Sequence, residues 1–274
     1  MDYYLFLLLP LFAFVLSFFT SQAGVSGAFL ILPFQISVLG LSTPAVSSTN
    51  LLYNVVSIPS GVYGYVKEKR FILPLTLAIV AGTLPGALLG VFLRVSYLPD
   101  PKSFKLFAGL VLLFLGVRLL TSRIEQRESR DFEVRITGKG IRVSYVFSGQ
   151  KFTFSAPVVS AVAFIVGIVS GIYGVGGGVF IASFLIGILG LPAYTIAGST
   201  LFATFLTSLF GVGYYSLFGY PPELLIGISL GTGGIFGMYA GSRFQRFMPE
   251  KTIRIILSIL VLLISARYIS QYFL

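Results

Sequence analysis

Long apolar runs broken by short polar or glycine-rich stretches dominate the chain. They predict ten helical segments in two sets of five. The first set is Tyr3–Phe19, Ala28–Leu39, Thr43–Val66, Phe71–Leu93 and Ser103–Leu120. The second is Ala156–Val169, Val179–Leu189, Ala193–Phe218, Leu224–Arg243 and Thr252–Tyr272. Only Ser122–Ser155, between the sets, is strongly polar. Within it Phe132–Ile136, Ile141–Tyr145 and Phe152–Phe154 alternate with period two around turns at Gly138-Lys139-Gly140 and Ser148-Gly149-Gln150, which predicts a three-stranded meander.

The expected architecture is therefore an all-α polytopic membrane protein. A first transmembrane repeat spans residues 1–121, a polar cytoplasmic insert with short strands spans 122–155, and a second repeat spans 156–274. The insert reads most plainly as a solvated linker with local hairpins, and more sharply as a docking surface for a partner or a second protomer.

The segment pattern is broken most visibly at Ser170–Gly178, which holds five glycines in nine residues. Each glycine costs a helix about 1 kcal/mol relative to alanine. An apolar segment in lipid otherwise stays helical to satisfy its backbone polar groups. A break with a half-helix on either side is expected, the second starting near Gly177. The free N–H groups and positive dipole end of that half-helix suit an anion.

The same break recurs 150 residues earlier. Gly24-Val25-Ser26-Gly27 matches Gly174-Val175-Gly176-Gly177, and Leu39-Gly40-Leu41 matches Leu189-Gly190-Leu191. Gly82, Gly86 and Gly90 match Gly233, Gly237 and Gly241 at an offset of 151, and Arg118 pairs with Arg267 at 149. This is the mark of a duplicated unit, and paired interrupted segments point to a transporter binding site. The glycine triplets read as close helix packing, because small residues every four positions make a flat face. Arg118 and Arg267 read as snorkelling to the membrane surface.

The basic residues arbitrate between two topologies. Lys67, Lys69 and Arg70 separate segments three and four of the first half, whereas Arg243, Arg246, Lys251 and Arg254 separate segments four and five of the second. This switch favours inverted repeats with both termini outside, and places Arg94, Lys102 and Lys105 outside as exceptions. Merging each short pair into one broken span gives the alternative, eight spans and parallel repeats.

Composition narrows the chemistry. Hydrophobic residues make up 56% and charged residues 10% of the 274 residues, with a mean hydropathy of +0.95. Absent cysteine removes disulfide and thiolate chemistry, and histidine is absent too. The formal charge of +10 lies in the loops, where it orients the protein in the membrane; nucleic acid is not an expected partner. The interiors of the predicted spans hold no carboxylate, lysine or histidine, which argues against buried-carboxylate proton antiport and against an intramembrane hydrolase. No enzyme activity, cofactor or metal is called for.

What remains for binding is hydroxyls, amides and backbone dipoles, and these cluster. Asn50 and Asn54, the only asparagines, share a helix face, and Thr200 and Thr204 occupy the equivalent positions beside Ser199. Thr20, Ser21, Gln22, Gly24, Ser26 and Gly27 contribute at the first break, and Tyr173, Gly174, Gly176 and Gly177 at the second. Single hydroxyls in membrane helices commonly bond back to the i−4 carbonyl or join helices. The paired cluster as a whole is the candidate substrate site.

These breaks, the two Leu-Gly-Leu turns, the hydroxyl-rich helix that follows each and Gly82-Thr83-Leu84-Pro85-Gly86 resemble the sulfite exporter TauE/SafE family of membrane permeases. The resemblance covers both halves. It implies transport of small sulfur-containing anions, such as sulfite, sulfoacetate or other organosulfonates, across a prokaryotic plasma membrane. The expected function is a multi-pass secondary transporter of the cell membrane working by alternating access. A passive anion channel, or a membrane-embedded assembly or sensor subunit, stays open as an alternative. The expected partners are a small anionic substrate and the lipid bilayer, with a homodimer left open.

Overall fold

The computed structural model of the chain describes residues 3–21, 25–68, 71–121, 134–138, 140–244 and 250–273. The first half forms α1 (Tyr3–Ser21), α2 (Ala28–Ser37), α3 (Ala45–Lys67), α4 (Leu73–Tyr97) and α5 (Pro101–Thr121). Strands β1 (Arg135–Gly138), β2 (Arg142–Phe147) and β3 (Gln150–Ser155) follow. The second half forms α6 (Ala156–Tyr173), α7 (Gly178–Gly187), α8 (Ala193–Leu217), α9 (Leu224–Phe244) and α10 (Glu250–Phe273). Among the described residues, four helices are long and apolar enough to cross a membrane: Leu73–Tyr97, Ala156–Tyr173, Tyr194–Leu217 and Leu224–Phe244. Leu77, Phe114, Ile165, Phe236 and Leu263 are exposed on the outside, where lipid replaces water.

The halves interlock rather than sit side by side. α1 lies along α9 and α4 along α6, while α3 packs on α8 and α5 on α10. The glycine triplets make the first two pairings. A Cβ on Gly82, Gly86 or Gly90 would strike the carbonyls of Ser160, Phe164 and Ile168 in α6. One on Gly233, Gly237 or Gly241 would strike those of Pro10, Phe14 and Phe18 in α1. Backbones this close gain dispersion contacts that lipid tails cannot supply.

The equivalent helices α3 and α8 cross antiparallel. Gly211 sits against Leu51, and Gly61 against Leu201. The α5–α10 pair does the same, with Gly109 against Tyr268 and Gly116 against Leu262.

Positions 150 residues apart make corresponding hydrogen bonds. After α2, Val38 N–H donates to Phe34 O (2.9 Å) and Leu41 N–H to Gln35 O (3.1 Å). After α7, Ile188 N–H donates to Phe184 O (2.9 Å) and Leu191 N–H to Leu185 O (3.0 Å). Gly40 and Gly190 take φ of +70° and +64° to close these ends, a conformation only glycine adopts without strain. The Arg118 equivalence requires correction. Its guanidinium does not snorkel away but donates from Nη2 to Ser183 O at 2.8 Å, and the matching bond is Tyr268 Oη to Pro33 O at 3.0 Å. Tyr268, not Arg267, makes the hydrogen bond that matches Arg118's at an offset of 150 residues.

The insert is an antiparallel β1-β2-β3 meander. Residues 132 and 133 of the expected first strand lie outside the described residues. The inward positions Val143, Tyr145 and Phe147 are buried. Tyr145 Oη lies 2.9 Å from Thr195 Oγ1, and the Phe147 ring stacks on Tyr194 at 5.8 Å. The sheet is thus docked on the start of α8, and that face is not a solvated linker.

Candidate functional site

The second break is shorter than its glycine count suggests. Gly171 remains helical because it packs against Ala87 and Gly90 of α4, so α6 continues to Tyr173. Gly174, Gly176 and Gly177 then take φ of +80°, +79° and +87°, which ends the helix and lets α7 restart at Gly178. No side chain caps the start of α7, nor that of α2 after Gly27. Residues 170–182 and 25–33 are all buried, so two helix N-termini lie uncapped inside the protein.

α3 and α8 close around these breaks. Gly174 abuts Ser47 of α3, Gly176 abuts Asn54, Thr204 and Ser208, and Gly178 abuts Thr204. Asn50 ties the two breaks together: its Nδ2 donates to Ala28 O at 2.9 Å and to Gly174 O at 2.8 Å. Asn54 Nδ2 donates to Val175 O at 3.0 Å and to Ser208 Oγ at 3.1 Å. Tyr173 Oη donates across to Phe29 O at 3.1 Å. Both asparagines spend their two amide hydrogens on these acceptors. Asn50 Oδ1 and Asn54 Oδ1 are left buried with no hydrogen-bond partner, as are Ser48 Oγ and Ser170 Oγ. The asparagines therefore offer a ligand acceptors rather than donors.

The remaining expected residues divide. Thr200 Oγ1 bonds back to Ile196 O and Ala197 O, and Thr204 Oγ1 to Thr200 O, as hydroxyls in helices commonly do. Ser199 Oγ accepts from Ile72 N–H at 2.9 Å and donates to Ile72 O at 3.0 Å. It is committed to the α3–α4 connection. Thr49, at the matching position of α3, accepts from Glu223 N–H at 2.9 Å but donates back to Ala45 O at 2.7 Å. Thr20 Oγ1 bonds to Leu16 O and stands beside Gly27; Ser21 Oγ bonds to Phe18 O against Gly241; Ser26 is buried. Gln22 and Gly24 lie outside the described residues.

Four residues escaped the sequence reading. Tyr53, fully buried between Asn50 and Asn54, lies 2.6 Å from Ser17 Oγ and faces Gly27. Tyr65 Oη donates to Ser21 O at 2.9 Å, and Tyr215 Oη to Gly171 O at 2.6 Å. These two tyrosines and their acceptors are each 150 residues apart, a signal present in the repeat. Arg94, read from the sequence only for the side of the membrane on which it lies, is fully buried. It stands four positions after Gly90 and so continues the stripe that faces α6. At the ends of α3 and α9 a cavity of about 360 Å³ is lined by Tyr63, Gly64, Lys67, Glu68, Tyr239 and Arg243.

Apolar outer faces, spanning helices and a buried seam of broken helices define a multi-pass membrane protein. The chain belongs to the sulfite exporter TauE/SafE family, whose model matches residues 9–268. It is also similar to the probable membrane transporter protein YunE of Bacillus subtilis (strain 168), at 27% identity over 264 residues, 92% of each chain. No solved structure matches it. The protein is a membrane permease of that family.

Proposed function

We propose that this permease is a secondary transporter of small sulfur-containing anions, such as sulfite, sulfoacetate or other organosulfonates, across the plasma membrane. It works by alternating access between inverted halves. The observation that carries the reading is the pair of uncapped, buried helix N-termini at Gly27 and Gly177, joined by Asn50. Free N–H groups at those ends suit oxyanion oxygens. The unpartnered Oδ1 atoms of Asn50 and Asn54 suit an O–H donor, so a protonated anion such as bisulfite fits both kinds of group. The antiparallel crossing of α3 on α8, together with the switch of basic loops, supports inversion.

The test is uptake of radiolabelled sulfite into proteoliposomes. Saturable uptake, competed by sulfoacetate and not by chloride, is expected. Uptake that does not saturate would favour a channel, and no uptake of any sulfur oxyanion would overturn the substrate assignment.

A further inference from the structure

Arg94 is a charged side chain buried without a partner at the end of α4. It is 0% exposed, and none of its Nε, Nη1 and Nη2 atoms has a hydrogen-bond partner. A buried charge without a partner is strongly destabilising, so a guanidinium kept in such a place needs a counterpart.

The nearby protein groups do not supply it. The end of α6 is the obvious acceptor, because Arg94 extends the glycine stripe toward it. Its carbonyls accept from other donors and none accepts from Arg94: Ser170 O accepts from Gly174 N–H and Val175 N–H, Gly171 O from Tyr215 Oη, and Ile172 O from Ser47 Oγ. The electrostatic neighbours are Tyr215, Tyr220 and Asp100. Of these, Asp100 is exposed, and its Oδ2 accepts from Ser103 N–H at 2.8 Å at the start of α5.

The surroundings also select a ligand shape. The guanidinium carbon lies 3.7 Å above the Phe104 ring centroid. Stacking on the aromatic face occupies one side of the plane and leaves the in-plane N–H fork free, which matches two oxygens of one oxyanion. The same Phe104 ring is 6.5 Å from that of Tyr173, and Tyr215 touches both Gly171 and Ile172 at the end of α6. Arg94 therefore stands one side chain away from the second break. It is twenty-one residues along α4 from Leu73, about 30 Å from the end nearer Lys67 at the helical rise of 1.5 Å per residue.

We infer that Arg94, seated on Phe104 beside Tyr215, is a second anion position on the transport path, built for an oxyanion and not for a halide. The inference rests on the anion-transport reading above, and the following experiment separates the two. Melting temperatures of the purified full chain are measured with rising sodium sulfite, against sodium chloride at matched ionic strength, for wild type, Arg94→Gln and Arg94→Lys. Ligands that bind only the folded state raise its stability.

A sulfite-dependent rise is expected in wild type. In Arg94→Gln that rise should fall by half or more, while the anion-free melting temperature stays equal or goes up, because an unpaired buried charge has gone. In Arg94→Lys, which keeps the charge but loses the fork, chloride should become nearly as effective as sulfite. Arg94→Gln with the full wild-type rise overturns the second position and leaves the break site standing. Should Arg94→Gln fail to fold, an unchanged preference for sulfite in Arg94→Lys overturns it equally. A wild type that responds to no sulfur oxyanion overturns both readings.

Discussion

Asn54 of α3 donates to Ser208 of α8 at 3.1 Å, and its other amide hydrogen goes to Val175 O in the second break at 3.0 Å. One side chain thus holds together the two equivalent helices and the glycine break. Asn54→Ala leaves a buried carbonyl and a buried hydroxyl without that donor, at a cost of about 1–3 kcal/mol. The expected result is a lowered melting temperature in detergent and loss of sulfite uptake. An Asn54→Ala protein with wild-type uptake would remove this residue from the site.

The glycine stripes give a paired comparison. A Cβ at position 86 would collide with Phe164 O, and Gly167 Cα lies only 3.0 Å from it, whereas one at Gly213, on the same kind of helix, meets nothing within 4 Å. Gly86→Ala should force α4 from α6 and cost several kcal/mol, on the order of 3. Gly213→Ala should be neutral or stabilising by up to about 1 kcal/mol, from helix propensity alone. Thermal denaturation of both variants checks the sign of each.

Ser199 and Thr49 clamp the connections that lead into α4 and α9. Ser199→Ala orphans the buried Ile72 N–H and should cost about 1–3 kcal/mol. Thr49→Ala should cost less, because Glu223 is exposed and water can replace the lost partner of its N–H. Equal losses in melting temperature would show that the two joints are energetically alike despite this difference in burial.

The docked sheet carries a pH signature. Burial against α8 pushes the Tyr145 phenol up to about 12 from its ordinary 10.0, opposed by its hydrogen bond with Thr195. The unfolded phenol loses its proton first. The stability contributed by the docked, neutral form is therefore complete below pH 10 and lost between pH 10 and about 12. Tyr145→Phe should melt lower at pH 8 by loss of one hydrogen bond, about 1 kcal/mol. It should also decline less steeply than wild type above pH 10. Parallel pH profiles would mean that this ring is not the titrating group.

The helices, the meander and the glycine packing faces were legible along the chain, because each is a local property. Apolar runs of spanning length, period-two alternation and small residues every four positions have meanings that do not depend on distant neighbours. What each polar group does was not local. Asn50 and Asn54 could be picked out, but that their amide hydrogens go to Ala28, Gly174, Val175 and Ser208 depends on how α3 meets residues more than 120 positions away in three of those four cases. Gly171 looked like part of the break and is helix, because α4 packs on it. Arg94 lies one residue past the predicted fourth segment, Phe71–Leu93, and nothing local marks it as buried. Its burial arises only when α4 lies along α6 and the turn after α4 folds Phe104 beneath its guanidinium. The sequence by itself determined the helices and the small sheet between them. The tertiary structure alone decided which polar atoms remain without a partner, since satisfaction of a buried group depends on every segment that reaches it.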